Sequence, residues 1–183
     1  MKIEEVGISG LLLVVSDIYR DSRGFLYERY NEKTSKKLKT SFVQQNISVS
    51  QKSVLRGMHW QYSPHAQGKL VTCLSGAIYD VAVDLRVKSP TFGSYFAIKL
   101  DGKQGTSLWI PSGFAHGFQS LEEESVVTYS VDHGFVPNFA KEFNPFDAKI
   151  GISWPLSDAI LSTKDMESSN LEELDQTVLF KSI

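Results

Sequence analysis

The sequence predicts an all-β fold, a sandwich or a closed barrel, with short helices at the periphery and mainly near the C-terminus. Three observations carry this. Short β-rich runs recur along the 183 residues, separated by Gly, Ser, Asp and Pro. No alternation of strand with long helix appears between them. Helix-like stretches are confined to two places, a short polar segment at 31–38 and the region from Ser162 onward.

The runs fall at residues 24–30, 43–50, 70–74, 78–85, 95–100, 108–110, 117–121 and 126–131. In 43–50, side-chain alternation puts Gln44, Asn46, Ser48 and Ser50 on one face and Val43, Ile47 and Val49 on the other. In 78–85, Tyr79, Val81, Val83 and Leu85 share one face, while Asp80 and Asp84 lie opposite with Ile78 and Ala82. A polar face of this kind either meets water or, in a small barrel, lines a ligand cavity. The 70–74 run follows Gln67-Gly68-Lys69, and the 108–110 run leads into a Pro-x-Gly turn at 111–113. Near the C-terminus, Ser169-Asn170 opens a turn running through Leu174.

Nothing divides the chain. No low-complexity linker or repeat interrupts it, so residues 1–183 read as one domain. The chain has 19 Lys plus Arg against 21 Asp plus Glu, a formal net charge of −2. That balance argues against an electrostatic nucleic-acid partner but allows a local cationic pocket for a small anion. The N-terminus reads Met1-Lys2-Ile3-Glu4-Glu5, with acid where a signal peptide would carry base, and the longest early apolar run, 11–15, is too short for a signal or a membrane span. The single cysteine, Cys73, forms no internal disulfide and lies in an apolar run, where a buried structural thiol is expected. The expected setting is cytoplasmic, with no membrane partner.

Two segments concentrate chemistry. Val54-Leu55-Arg56-Gly57-Met58-His59-Trp60-Gln61 places a base, a glycine bend and a histidine within four positions. Trp109-Ile110-Pro111-Ser112-Gly113-Phe114-Ala115-His116-Gly117-Phe118 repeats the arrangement of glycine turn and histidine at a strand mouth. The pair resembles the two motifs of the cupin barrels. Metal-binding cupins show His-x-His and a downstream Glu, whereas here the string is His59-Trp60-Gln61. Four histidines permit a three-His site in number, without the His-x-His pair or a clear carboxylate ligand. No metal is expected.

Eight strings in register are similar to the dTDP-4-dehydrorhamnose 3,5-epimerase family. They are Asp21-Ser22-Arg23-Gly24-Phe25, Gln44-x-Asn46-x-Ser48, Leu55 to Gln61, Gln67 to Val71, Asp80 to Arg86, Ile110 to Phe118, Ile152-Ser153-Trp154-Pro155 and Leu161-Ser162-x-Lys164-Asp165. The resemblance implies a jelly-roll cupin fold and a homodimer with strands exchanged, residues 1–40 contributing to the interface. It implies no cofactor, a nucleotide-linked 4-keto-6-deoxyhexose as substrate, and inversion at C3 and C5. Both carbons adjoin the C4 ketone, so their protons are removable once the enolate oxygen is stabilised.

By the same resemblance His59 is the base and Asp165 orients it. Asp165 also completes a capping pattern, Ser162-Thr163-Lys164-Asp165, for a C-terminal helix. Lys69 stabilises the enolate, held by Asp80, and Tyr129 is the acid on the opposite face. Arg56, His116, Gln44 and Asn46 contact sugar or phosphate. Arg23 and Glu28 reach the nucleotide from the partner subunit.

Three places depart from the family pattern. His133-Gly134-Phe135-Val136-Pro137 replaces a Tyr-x-Pro string, keeping in Phe135 an aromatic face for the base but no hydroxyl, and in Gly134 more room. Leu26 stands where the family commonly has Phe, and Phe143-Asn144-Pro145-Phe146 where it has Trp-Asn-Asp-Pro. These changes leave open a single-centre 3- or 5-epimerase, or a CDP-sugar substrate. A metal-dependent cupin isomerase and a non-catalytic carbohydrate-binding jelly roll are the alternatives from other classes.

Overall fold

Residues 1–181 are described by a computed structural model. The period-two runs become the strands of two antiparallel sheets. Thirteen strands are present among these residues: β1 (Lys2–Glu5), β2 (Leu12–Val15), β3 (Ile18–Asp21), β4 (Gly24–Tyr27), β5 (Gln44–Ser50), β6 (Leu55–Gln61), β7 (Lys69–Ser75), β8 (Ala77–Asp84), β9 (Tyr95–Asp101), β10 (Thr106–Ile110), β11 (Phe114–Ser120), β12 (Ser125–Val131) and β13 (Ala140–Glu142). One sheet has the order β1-β2-β10-β7-β12-β5, the other β13-β6-β11-β8-β9, and β3 and β4 form a separate hairpin. This is a cupin-type jelly roll. Two helices accompany it, α1 (Glu32–Leu38), capped by Asn31, and α2 (Thr163–Met166). No helix among the described residues is long and apolar enough to cross a membrane.

The inner faces bury Leu11, Val71, Cys73, Ile78, Leu100, Leu108, Phe114, Phe118 and Val127 in a shared core. The outer face of the five-stranded sheet is covered by the C-terminal chain, where Met58, Trp60, Val83 and Leu85 pack with Phe143, Val178, Leu179 and Phe180. The Trp60 indole donates to the Val178 carbonyl at 3.0 Å, tying that chain down. Phe143, fully buried against Trp60, belongs to this layer, so the first residue of the third departure from the family pattern is a packing residue. Truncating a side chain so placed costs about 3–5 kcal/mol. Outside the six-stranded sheet, Leu38 from α1 packs on Val14, Leu70 and Trp109.

The predicted runs recur nearly in place, and the 31–38 helix and the turn through Leu174 are both present, the latter as one turn at Leu171–Glu173. The sequence did not predict β1, β2, β3, β6 or β13. The first three are four-residue edge or hairpin strands, and β13 has three residues, too short for periodicity to register. β6 was hidden by its glycine and its polar residues. Gly57 sits at φ +129°, and a Cβ there would lie 2.5 Å from the Gly117 Cα of β11, so only glycine permits this approach.

That glycine also re-aims the strand. His59 pairs with His116, but the next pairing is Arg56 with Phe118, so β6 carries one extra residue at Gly57-Met58. In a regular strand residues 56 and 59 would point to opposite faces. The bulge brings both to the same cavity.

Candidate active site

One end of the barrel opens into a cavity of about 710 Å³. Its walls come from β5, β7 and β12 on one side and β6, β11 and β13 on the other, with α2 at the rim. Strand register puts the six-stranded sheet's residues in rows. Gln44, Val131 and Lys69 lie side by side, and Asn46, Tyr129 and Val71 form the next row. The polar face of 43–50 is therefore the inner one, while Ile47 and Val49 point outward and are largely exposed.

His59 meets Asp165 at 2.6 Å through Nε2. With Nε2–H donating to the carboxylate, Nδ1 is the ring nitrogen free to accept a proton. Both readings of Asp165 are satisfied at different atoms. Its backbone N–H donates to the Ser162 Oγ, capping α2, and its carboxylate turns to His59. Burial alone would raise the Asp165 pKa. The hydrogen bond and charge of His59, with the Ser162 hydroxyl and the Gly57 amide, outweigh it and hold the carboxyl below its ordinary value.

A second histidine–aspartate pair lies next to the first. His116 Nε2 meets Asp80 Oδ1 at 2.7 Å, both groups being buried. Burial holds His116 below the ordinary histidine value, against the pull of Asp80. Asp80 is fully buried and lies behind His116, so its place is support for the site rather than direct contact with a ligand. Lys69 reaches across from β7, its Nζ donating to the His59 carbonyl at 3.1 Å. Its burial brings the ammonium down to about 8, opposed by the charge of Asp80. The Tyr129 hydroxyl is pushed above its ordinary value by burial, opposed by Arg56, and so stays protonated near neutrality. Arg56 donates to Ser50 Oγ at 3.1 Å.

The cavity thus gathers His59, Lys69, Tyr129, Asp165, Gln44, Asn46, Arg56, His116 and Phe135 from the predicted set. Arg23 and Glu28 lie outside it. Arg23 is exposed at the tip of the β3–β4 hairpin, paired with Asp21, and Glu28 accepts from Asn31. Leu26 is exposed on the same hairpin. Cys73 is buried, with its thiol pushed up to about 11 by burial. Sequence reasoning missed Gln61, Gln67, Lys141 and Glu142, and gave Lys164 no role. Gln61 lies two residues from His59, so alternation alone could have placed it in the cavity. Lys164 pairs with Glu142 at 2.8 Å on the rim. Among the described residues no three His, Cys, Asp or Glu side chains are grouped to hold a metal ion.

The chemistry available is that of a proton shuttle. A half-exposed, carboxylate-held imidazole, a buried ammonium and a partly buried phenol converge on one space, with Arg56, Lys141 and Lys164 adding positive charge for an anionic ligand.

Known proteins are similar in both sequence and fold. The family described as dTDP-4-dehydrorhamnose 3,5-epimerase matches residues 5–173. The dTDP-4-dehydrorhamnose 3,5-epimerase of Salmonella typhimurium is 41% identical over 177 residues, covering 94% of this chain and 97% of that protein. The Legionella pneumophila dTDP-6-deoxy-D-glucose-3,5-epimerase, solved in complex with dTDP-4-keto-L-rhamnose, superposes with a TM-score of 0.95 at 39% identity, covering 100% of this chain and 98% of that one. A 3′-monoepimerase from Streptomyces bikiniensis, ChmJ, in complex with dTDP-quinovose, gives a TM-score of 0.87 at 30% identity, covering 91% of this chain and 86% of that one. With residues 5–173 spanning both histidine–aspartate pairs, Lys69 and Tyr129, the chain belongs to the dTDP-4-dehydrorhamnose 3,5-epimerase family.

Proposed function

We propose that this protein inverts C3 and C5 of a dTDP-4-keto-6-deoxyhexose by removing and returning the protons next to the ketone. The observation that carries this is the convergence of the His59–Asp165 pair, the Lys69 ammonium and the Tyr129 hydroxyl on one cavity. His59 Nδ1 takes the proton α to the C4 ketone, and Asp165 stabilises the imidazolium that results. The C4 oxygen gains negative charge as the enolate forms. Lys69 supplies the cation for it in a buried setting, where such stabilisation is strongest. Tyr129 returns a proton from the other face. Arg56, His116, Gln44 and Asn46 face the sugar and diphosphate. No cofactor is needed, because the substrate's own ketone provides the electron sink.

The same proposal includes a homodimer. Strand β5 is a sheet edge, and its outward Ile47 and Val49 are 67% and 56% exposed. An apolar edge of this kind is suited to burial against a second copy. Arg23 and Glu28 would then reach the partner's cavity rather than their own. A cytoplasmic setting fits the single buried thiol of Cys73.

A second reading is favoured by one feature. A Cβ built on Gly134 meets nothing within 4 Å, so there is open space next to Phe135, which lines the cavity. Such space suits a single-centre epimerase, in which the ring is not held for the second proton transfer. The test is proton NMR of dTDP-4-keto-6-deoxyglucose in D₂O with the purified protein. Deuterium at C3 and C5 supports the full epimerase. Deuterium at one carbon supports the second reading, and none at either, with CDP and other nucleotide sugars also inert, overturns both.

A further inference from the structure

The loop at 133–136 is held by glutamine side chains rather than by secondary structure. Gln67 Nε2 donates to the His133 carbonyl at 2.6 Å. Gln61 Nε2 donates to the Gly134 carbonyl at 3.1 Å, and its Oε1 accepts the Val136 N–H at 2.7 Å. Gln44 Oε1 accepts the Phe135 N–H at 3.0 Å. Four successive residues therefore each give one backbone polar group to an amide. Gln61 spends its second N–H on the His65 carbonyl at 2.9 Å, so both donors and its acceptor are used. Turned over, its amide would set oxygen against two carbonyls and N–H against an N–H, so the orientation is determined by the network. Gln61 is also 3% exposed, and a buried amide with every group matched is specific in position and costly to disturb.

What the loop presents is Phe135, 59% exposed at the cavity mouth, beside the open space over Gly134. A flexible loop would lose entropy on ordering around a ligand, and a loop held in advance avoids that cost. Gln61 sits on β6 two residues beyond His59, so the base and the loop anchor share one strand.

We propose that Gln61, assisted by Gln67 and Gln44, is a positioning residue. It fixes the 133–136 loop so that Phe135 meets the nucleobase of the bound sugar nucleotide, and thereby sets which ring carbons come within reach of His59. This rests on the epimerase reading, and the test separates the two.

The test compares wild type with Gln61→Met and with the milder Gln67→Met. Amide hydrogen exchange without ligand is read first. Gln61→Met should speed exchange at Val136 by about tenfold while amides of β7 and β8 keep their rates. Affinity for dTDP itself, by calorimetry, should fall by about tenfold for Gln61→Met and less for Gln67→Met. The ratio of deuterium entering C3 and C5 should change, which a loss of general stability would not produce. The proposal is overturned if Val136 keeps its protection, or if dTDP affinity and the C3-to-C5 ratio stay at wild-type values in folded variants. If Gln61→Met fails to fold, Gln67→Met decides on the same readouts. If wild type exchanges no deuterium, the epimerase reading fails, and the Val136 and dTDP measurements still decide the positioning role.

Discussion

His59 and His116 face each other across the pairing of β6 and β11, and each gives Nε2 to a carboxylate, Asp165 at 2.6 Å and Asp80 at 2.7 Å. The geometry is nearly the same, but the access is not. The His59 side chain is 42% exposed and that of His116 is 7% exposed. Only the first is open enough to meet a substrate proton, which favours His59 over His116 for the base in the proposed reaction.

Asp165→Asn should lower the exchange rate by about 10²–10⁴-fold with little change in substrate affinity. An amide that donates to Nε2 reverses the imidazole tautomer and takes away the lone pair on Nδ1. Steady-state kinetics check this, and a variant within a few-fold of wild type would contradict it.

Lys69 should make activity fall as pH rises through about 8, because burial lowers its ammonium from 10.5 to about 8 and the enolate needs the charged form. A kcat/KM profile flat to pH 9.5 would count against it. Stability runs the other way. The unfolded chain keeps this proton up to the ordinary lysine value, so below pH 8 the buried charge costs about 3 kcal/mol, a cost that fades between pH 8 and 10.5. Lys69→Met should thus be inactive at pH 7 yet melt no lower than wild type.

Tyr129→Phe should separate exchange from inversion. His59 can still remove a proton and return a deuteron to the same face, while the opposite face has lost its acid. Deuterium in recovered substrate without epimerised product is the expected NMR result. Wild-type product formation would remove Tyr129 from the mechanism.

The β5 edge and the β3–β4 hairpin should act as parts of a dimer. Ile47→Lys should give a monomer by sedimentation, since a charge on the exposed apolar face opposes its burial. Arg23→Ala should leave the dimer intact and raise KM. A dimeric Ile47→Lys protein would put the interface elsewhere.

The legible parts of the sequence were those with strong alternation. The two faces of β5 and the span of β8 follow from period two, but which face of β5 turns inward does not, because alternation says only which residues share a face. The bulge at Gly57-Met58 was not legible, because it depends on contact with Gly117 sixty residues later in the chain. The Asp80–His116 contact joins strands that pair only in the fold. Asp165 was ambiguous for a physical reason, since its backbone caps α2 and its carboxylate serves His59 at once. The glutamine contacts to 133–136 were hidden because an amide side chain names no partner until the backbone is in place.

The most direct measurement is deuterium incorporation into dTDP-4-keto-6-deoxyglucose in D₂O by wild type and His59→Asn, each shown to be folded. Wild type should exchange next to the ketone, and the variant should lose about a thousandfold or more of that rate. Exchange by His59→Asn within about tenfold of wild type would contradict it, because that effect is too small for removal of the base.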